Sequence, residues 1–254
     1  MMLRVLDLFS GIGGFSLGLE RTGGFETVAF CEYEDFPRRV LRKHWPNVPC
    51  FPDVRELKGS DIDGPVDVIC GGFPCQDIST SGSGEGLAGE RSGLWSEMER
   101  LVGEIRPRYV IVENSPNLLA GGNGEWFGQV LGDLATLGYD AEWHVIPASA
   151  VGAPHRRERV WVIAYPAGFR QPGQGQLLDA VHSKADDYRE AGGLVDAVQA
   201  GSVPFVCHRH DGLPKRLAEA GLMALGNAVV PQIPEMIGHA ILRAEAEQQA
   251  IAAE

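Results

Sequence analysis

No run of apolar residues in this 254-residue chain approaches the roughly 20 that a membrane-spanning helix needs. Cysteine is scarce. The five residues at 31, 50, 70, 75 and 207 form an odd set without a CxxC pair, which argues against a disulfide framework or a zinc site and for a reducing compartment such as the cytoplasm. Positive charge is also short. Lys and Arg number 22 against 34 Asp and Glu, for a net charge of -12, which argues against nonspecific polyanion binding by the whole surface. A local basic cleft stays open, because "HRRERVW" (155–161) and "HRHDGLPKR" (208–216) each carry three Lys or Arg against one acid. The acid-free run "PRRVLRKH" (37–44) reads instead as the solvated face of a helix. The start, "MMLRVLDLFSGIGG", has too short an apolar stretch for a secretory signal and reads as a first strand. Internal repeats are absent.

What is present suits one α/β domain, or a large domain with a small one inserted, at 44% hydrophobic residues. Compact β-type runs stand at 4–9, 26–32, 65–70, 108–114, 141–149 and 159–165. Helical patterns lie between them, beginning at 15 and covering 34–45, 93–105 and 128–139. In the third, apolar residues at 94, 95, 98, 101, 102 and 105 form one stripe, with Ser92 as its cap. Such alternation predicts a twisted, mostly parallel sheet. The stretch "STSGSGEGLAGERSG" (79–93) has five glycines in fifteen residues and reads as a mobile loop. After Tyr165 the character changes, and residues 166–205 are too poor in bulky apolar side chains to form a large core. Helix signals then return, with Ile233, Ile237, Ala240, Ile241 and Ala244 on one apolar face.

Three places invite chemistry. In "GGFPCQDIS" (71–79), Cys75 follows a predicted strand, where open α/β sheets keep their ligands. Gly71 and Gly72 permit a sharp turn and Pro74 fixes the backbone beside the thiol. On local setting alone, a reactive thiol and a small buried apolar residue both fit. In "DLFSGIGG", Gly11 and Gly13 allow close approach of a ligand at a helix start. The GxGxxG dinucleotide fingerprint is incomplete, because Ser16 stands at its sixth position. Glu32 ends the second strand 21 residues after Gly11, where an acid grips ribose hydroxyls. Asp53 follows a third, shorter element, placed for an adenine amino group. Each acid could equally be a surface residue after a strand. Together these features suggest an adenosyl cofactor without a strong phosphate cradle.

"DLFSGIGGFSLGLE", "GGFPCQDIS", "VENSPN", "HRRERVWVIA" and "GNAVVPQ" occur in order and at suitable distances. The chain thereby resembles a cytosine-C5 DNA methyltransferase, most of all the short, phage- or prophage-like members, over roughly residues 3–165 and 209–242. The resemblance implies a Rossmann-like, S-adenosylmethionine-dependent methyltransferase fold: a mixed, mostly parallel sheet with helices on both faces and a small inserted target-recognition segment. It divides the chain into a catalytic domain (1–165), a recognition segment (166–205) and a return segment with a terminal helix (206–254).

The same resemblance implies roles. Cys75 matches the nucleophile that adds to cytosine C6. Glu113 matches the acid at N3 and the exocyclic amine. Arg157 and Arg159 match the paired arginines of a Gln-x-Arg-x-Arg stretch, and at spacing two on a strand they would face one side. His155 stands where that stretch has Gln, and Ser115 where many members have Val. For S-adenosylmethionine the resemblance implies Phe9 on the adenine, Ser10, Gly11 and Gly13 at the methionine side, Glu32 on the ribose and Asp53 at the adenine. Pro74, Leu94, Asn227 and Ala228 would close the pocket. No metal is implied. The partner implied is duplex DNA, whose target base must leave the stack, with the 79–93 loop as closing lid. Gln76 and Ser79 would sit near the extruded base, and Arg170, Gln174 and Lys184 are among the side chains expected to face DNA. So short a recognition segment implies a short target, about two to four specified base pairs at about 1–3 kcal/mol per bidentate contact. A cognate restriction endonuclease or an accessory specificity protein is left open as a further partner. The alternatives are a tRNA cytosine-5 methyltransferase on the same fold, whose Cys-Phe-Thr triplet is absent here, and a non-catalytic DNA-binding relic.

Overall fold

The structure is a computed structural model and describes residues 2–74, 94–153, 155–169, 221 and 223–252. Seven strands form one sheet: β1 (Leu3–Leu8), β2 (Phe25–Cys31), β3 (Cys50–Phe51), β4 (Val68–Gly71), β5 (Tyr109–Asn114), β6 (Tyr139–Pro147) and β7 (Glu158–Pro166). Their spatial order is β3-β2-β1-β4-β5-β7-β6. The first five are mutually parallel, whereas β7 runs antiparallel to both β5 and β6. The central strands β1, β4 and β5 are buried along almost their whole length, which explains their near-continuous apolar sequences, since both faces of the sheet are covered.

Five of the helices take part in this cover or link it: α1 (Gly14–Arg21), α2 (Asp35–His44), α3 (Leu94–Ile105), α5 (Glu125–Thr136) and α6 (Gln232–Ala252), with a short α4 (Asn117–Ala120) before α5. On one face, Trp95, Met98, Leu101 and Val102 of α3 and Phe127, Val130 and Leu134 of α5 pack on Leu6, Leu8, Ile69, Val110 and Val112. On the other, Phe15 and Leu19 of α1 join Ile233, Met236, Ile237, Ala240, Ile241 and Ala244 of α6 over Val5, Val68 and Ile111. Every residue of the apolar face expected on the last helix is therefore buried.

Small residues let the last helix lie against the first. A Cβ added at Gly18 would come within 2.1 Å of the Pro231 carbonyl oxygen and 3.0 Å of the Glu235 nitrogen. One added at Gly14 would come within 2.5 Å of the Val229 carbonyl oxygen. Backbone cannot give way as a side chain can, so Gly18→Ala is expected to lower stability by about 1–3 kcal/mol, although alanine is the better helix former by about 1 kcal/mol. Gly128 of α5 has open space around it and is the control. Denaturant melts should show Gly128→Ala unchanged or stabilised and Gly18→Ala destabilised; equal effects would refute the close approach as the cause.

Candidate active site

Among the described residues, several that the sequence singles out lie at one edge of the sheet. Loops leave the parallel strands at their carboxyl ends: residues 9–13 after β1, Glu32 after β2, Asp53 after β3, Gly72–Pro74 after β4, with Glu113 at the end of β5. Because β7 is antiparallel, its first residues lie at that same edge, where Glu113 pairs in register with Trp161 and Asn114 with Val160. Reversal of this strand is what brings the arginine pair to the acid.

The Arg159 Nε lies 2.9 Å from Glu113 Oε1. The other carboxylate oxygen hangs over Gly72, where a Cβ would approach Oε2 to 2.7 Å. Any side chain at Gly72 would thus have to displace this carboxylate oxygen. The Glu113 side chain is 12% exposed. Burial raises its pKa, and the charges of Arg159 and Arg157 oppose that rise. The group is therefore readier to hold a proton than an ordinary carboxyl while still facing two cations. Arg157 departs from expectation: it precedes β7 and adopts a positive φ of 24°, so the two arginines do not alternate along one strand. The chain turns at residues 155–157 before the strand begins.

Asn114, which the sequence reading passed over, anchors the neighbouring loop. It is buried, its Nδ2 donates to the Phe73 carbonyl at 3.1 Å, and its Oδ1 accepts from the Ser115 N–H at 2.8 Å. Phe73 in turn lies 5.6 Å from the ring of Trp95, next to Leu94 at the start of α3. Trp95 Nε1 donates to Asp133 Oδ2 on α5 at 2.8 Å. Pro74 and Leu94, both partly buried, thus flank residues 75–93 on well-held backbone. Cys75, Gln76, Ser79 and Ser92 lie outside the described residues, as do Arg170, Gln174 and Lys184.

At the other end of the edge, Glu32 is buried and accepts from the Gly11 N–H at 2.7 Å and the Glu34 N–H at 2.8 Å. Burial raises its pKa, and these two bonds oppose the rise. Phe9, Gly11 and Gly13 all take positive φ, 53°, 53° and 85°. A left-handed phenylalanine is costly and marks a loop held for a purpose. Space is open beside Gly11, whereas Trp45 crowds Gly13. The Ser10 hydroxyl turns inward to the carbonyls of Asp7, at 2.5 Å, and Cys31, at 3.2 Å, so only its backbone faces the loop. Asp53 is held by Arg55, whose Nη2 lies 2.6 Å from Oδ2, and this bond lowers its pKa. Asn227 is exposed and Ala228 half-buried, just before Val229 meets Gly14. Tyr33, also passed over, is 68% exposed among the described residues, directly after Glu32.

Beneath the loop Asp7 is fully buried on β1, opposite Cys70 in register. Its Oδ2 accepts from Ser16 Oγ at 2.7 Å and Ser16 N–H at 3.3 Å, tying α1 to β1. Its Oδ1 has no partner among the described residues. Burial first, then the charges of Glu32 and Glu20, raise its pKa from 3.8 to about 7 against the opposing Ser16 bonds. Between those values the folded chain keeps a proton that the unfolded chain releases, so this group's contribution favours folding less as pH rises through that window. Asp7→Asn keeps the acceptor without the charge. Its melting temperature relative to wild type should rise between about pH 4 and pH 7 and level off above that; a constant difference would remove Asp7 as the titrating group.

Comparison with known proteins gives the arrangement a lineage. The C-5 cytosine-specific DNA methylase family matches residues 3–195. The type II methyltransferase M2.BsuMI of Bacillus subtilis (strain 168) is 36% identical over 188 residues, 72% of this chain and 46% of the relative. The type II methyltransferase M.HhaI of Haemophilus parahaemolyticus is 33% identical over 163 residues, 64% of this chain and 49% of the relative. The chain thus spans about half the length of these curated relatives. Among solved structures, a prophage-encoded protein of E. coli described as a DNA modification methyltransferase superposes with a TM-score of 0.55 at 28% identity, covering 65% of this chain and 47% of that one. S. pombe Dnmt2 methyltransferase, at 18% identity and a TM-score of 0.57 over 73% of this chain and 55% of its own, shares the fold. With three quarters of its length matched and the acid and arginines meeting at one sheet edge, this chain belongs to the C-5 cytosine-specific DNA methylase family.

Proposed function

We propose that the chain transfers a methyl group from S-adenosylmethionine to C5 of a cytosine in duplex DNA, through a covalent bond between Cys75 and C6. The observation that carries this reading is the Glu113 carboxyl, held between Gly72 and Arg159 beside the backbone that leads to Cys75. A cytosine ring is electron-poor at C6. The Cys75 thiolate adds there and the electron pair moves toward C5, while Glu113 donates a proton toward N3. C5 then takes the methyl group, and the carbon–sulfur bond of the donor breaks to leave a neutral thioether. Loss of the C5 proton to a base expels the thiolate, and return of the N3 proton to Glu113 restores the neutral ring. Arg159 holds Glu113 in place, and the charges of Arg159 and Arg157 limit how far its pKa rises.

The residues at the other end of the edge fit an adenosyl group. Glu32 offers a carboxylate already satisfied by two N–H donors, Gly11 leaves open space, and Phe9 and Tyr33 supply aromatic surface. Bound there, the sulfonium supplies the electrophilic methyl. Glu32 would orient the ribose and Asp53 the adenine amino group, with Pro74, Leu94, Asn227 and Ala228 around them. A tritium-transfer assay comparing unmodified duplex DNA with tRNA tests the reading. Methyl incorporation into cytosine of duplex DNA is expected; incorporation into tRNA alone would move the chain to RNA chemistry, and none into either would leave a binding protein.

A further inference from the structure

Asp53 cannot be placed by its own strand, because β3 is only two residues long. The turn after it needs an outside support, and α3 provides one. The Asp53 carbonyl accepts from the N–H groups of Glu56 and Leu57, both at 3.2 Å, closing a single turn. The carbonyls of Val54 and Leu57 then point away from that turn and would lack partners. Arg100 of α3 supplies them: its Nη2 donates to Val54 O at 3.0 Å and to Leu57 O at 2.9 Å.

The same guanidinium is fixed from its own helix. Its Nε meets Glu97 at 2.8 Å and its Nη1 meets Glu104 at 2.7 Å. Glu104 also reaches the far end of the loop, accepting from the Gly59 N–H at 2.9 Å. Arg100 and Glu104, one helical turn apart, thus grip residues 54–59 at both ends, with Glu97 holding the arginine in place. Two carboxylates neutralise the cation, so this arginine is not a free anion site. Its planar fork matches two divergent carbonyls in a way that a lysine ammonium does not.

We propose that Arg100 is a positioning residue for the adenine of the cofactor, acting through the 53–57 turn to aim the Asp53 carboxylate; this rests on the cofactor reading given above. Arg100 touches neither cofactor nor DNA. Its role is to convert the rigidity of α3 into a fixed acceptor for the adenine amino group. Helix and turn lie 43 residues apart in sequence at the Leu57 contact, and this bond makes one unit of them.

The test compares S-adenosylhomocysteine with its inosine analogue, which replaces the amino group by a carbonyl oxygen. Binding of each is measured by calorimetry to wild type, Arg100→Met, Arg100→Lys and Asp53→Ala, with melting temperatures recorded for all four. Wild type is expected to prefer the adenosine form by about tenfold or more, the scale of one charge-assisted hydrogen bond. Arg100→Met should lose that preference as Asp53→Ala does, while binding of the inosine analogue stays within about threefold of wild type, a shift of only ~0.7 kcal/mol. Arg100→Lys should sit between them. A preference retained in Arg100→Met and Arg100→Lys would overturn the proposal, and so would an equal loss for both ligands, which is plain loosening of the fold. If wild type binds neither ligand, the cofactor reading itself fails and the proposal with it.

Discussion

Cys75→Ser is expected to abolish methyl transfer while leaving cofactor binding intact. The argument is one of nucleophile availability. A free thiol ionises near pH ~8.5, so an appreciable thiolate fraction exists at neutral pH and nearby cations enlarge it. A serine hydroxyl presents essentially no alkoxide there and has no adjacent base assigned to it. Because the proposed reaction begins with addition at C6, nothing downstream of that step would proceed. Cofactor affinity, in contrast, is proposed to draw on Glu32, Gly11 and the Asp53 turn, all on other loops. The adduct can be tested directly with a duplex carrying 5-fluorocytosine: fluorine cannot leave as a cation, so wild type should remain covalently attached. Wild-type trapping that persists unchanged in Cys75→Ser would refute the assignment.

Glu113→Gln should lower turnover by about 10²- to 10⁴-fold, the usual cost of losing one general acid. The substitution keeps the shape that Gly72 accommodates and keeps an oxygen for Arg159. It removes only the transferable proton, which burial makes more available than in an ordinary carboxyl. The loss should therefore appear in kcat, with cofactor affinity nearly unchanged. A rate within about threefold of wild type, ~0.7 kcal/mol of barrier, would show that another group delivers the proton.

The parts of this molecule that the sequence made legible are those governed by short-range pattern. Strands β1, β2, β4, β5 and β7 stand out as apolar runs because both faces of the sheet are covered. The stripe of α6 appears at the expected positions because only one of its faces is buried. The spacing of 21 residues put Glu32 and Gly11 at neighbouring strand ends, and in the structure Gly11 donates to the Glu32 carboxylate, a bond that the spacing does not announce. What stayed hidden depends on direction and distance. Nothing in "RVWVIAY" tells whether that strand runs with β5 or against it, and the meeting of Arg159 with Glu113 rests on the answer. Arg157 was expected within a strand, but the turn at 155–157 places it before one. Asp7 reads as an ordinary charged residue in a strand, and only the packing of Ser16 against it reveals a buried acid. Asn114 and Arg100 escaped for a related reason: the loops they hold are gripped through backbone groups, which carry no sequence signal.

The contact between Gly18 and Pro231 has a consequence for synthesis. The first helix of the chain is covered by residues more than two hundred positions downstream. While a ribosome is still making the middle of the protein, the apolar side of α1 has no native cover, and the loop that leads into it lacks Val229 at its flank. Contacts of such long sequence separation form late and slow folding. A nascent or prematurely terminated chain could display the first five parallel strands and still lack a firm cofactor loop. On the function proposed above, cofactor binding therefore waits on completion of translation through α6, and fragments broken off short of that point are expected to bind S-adenosylmethionine weakly.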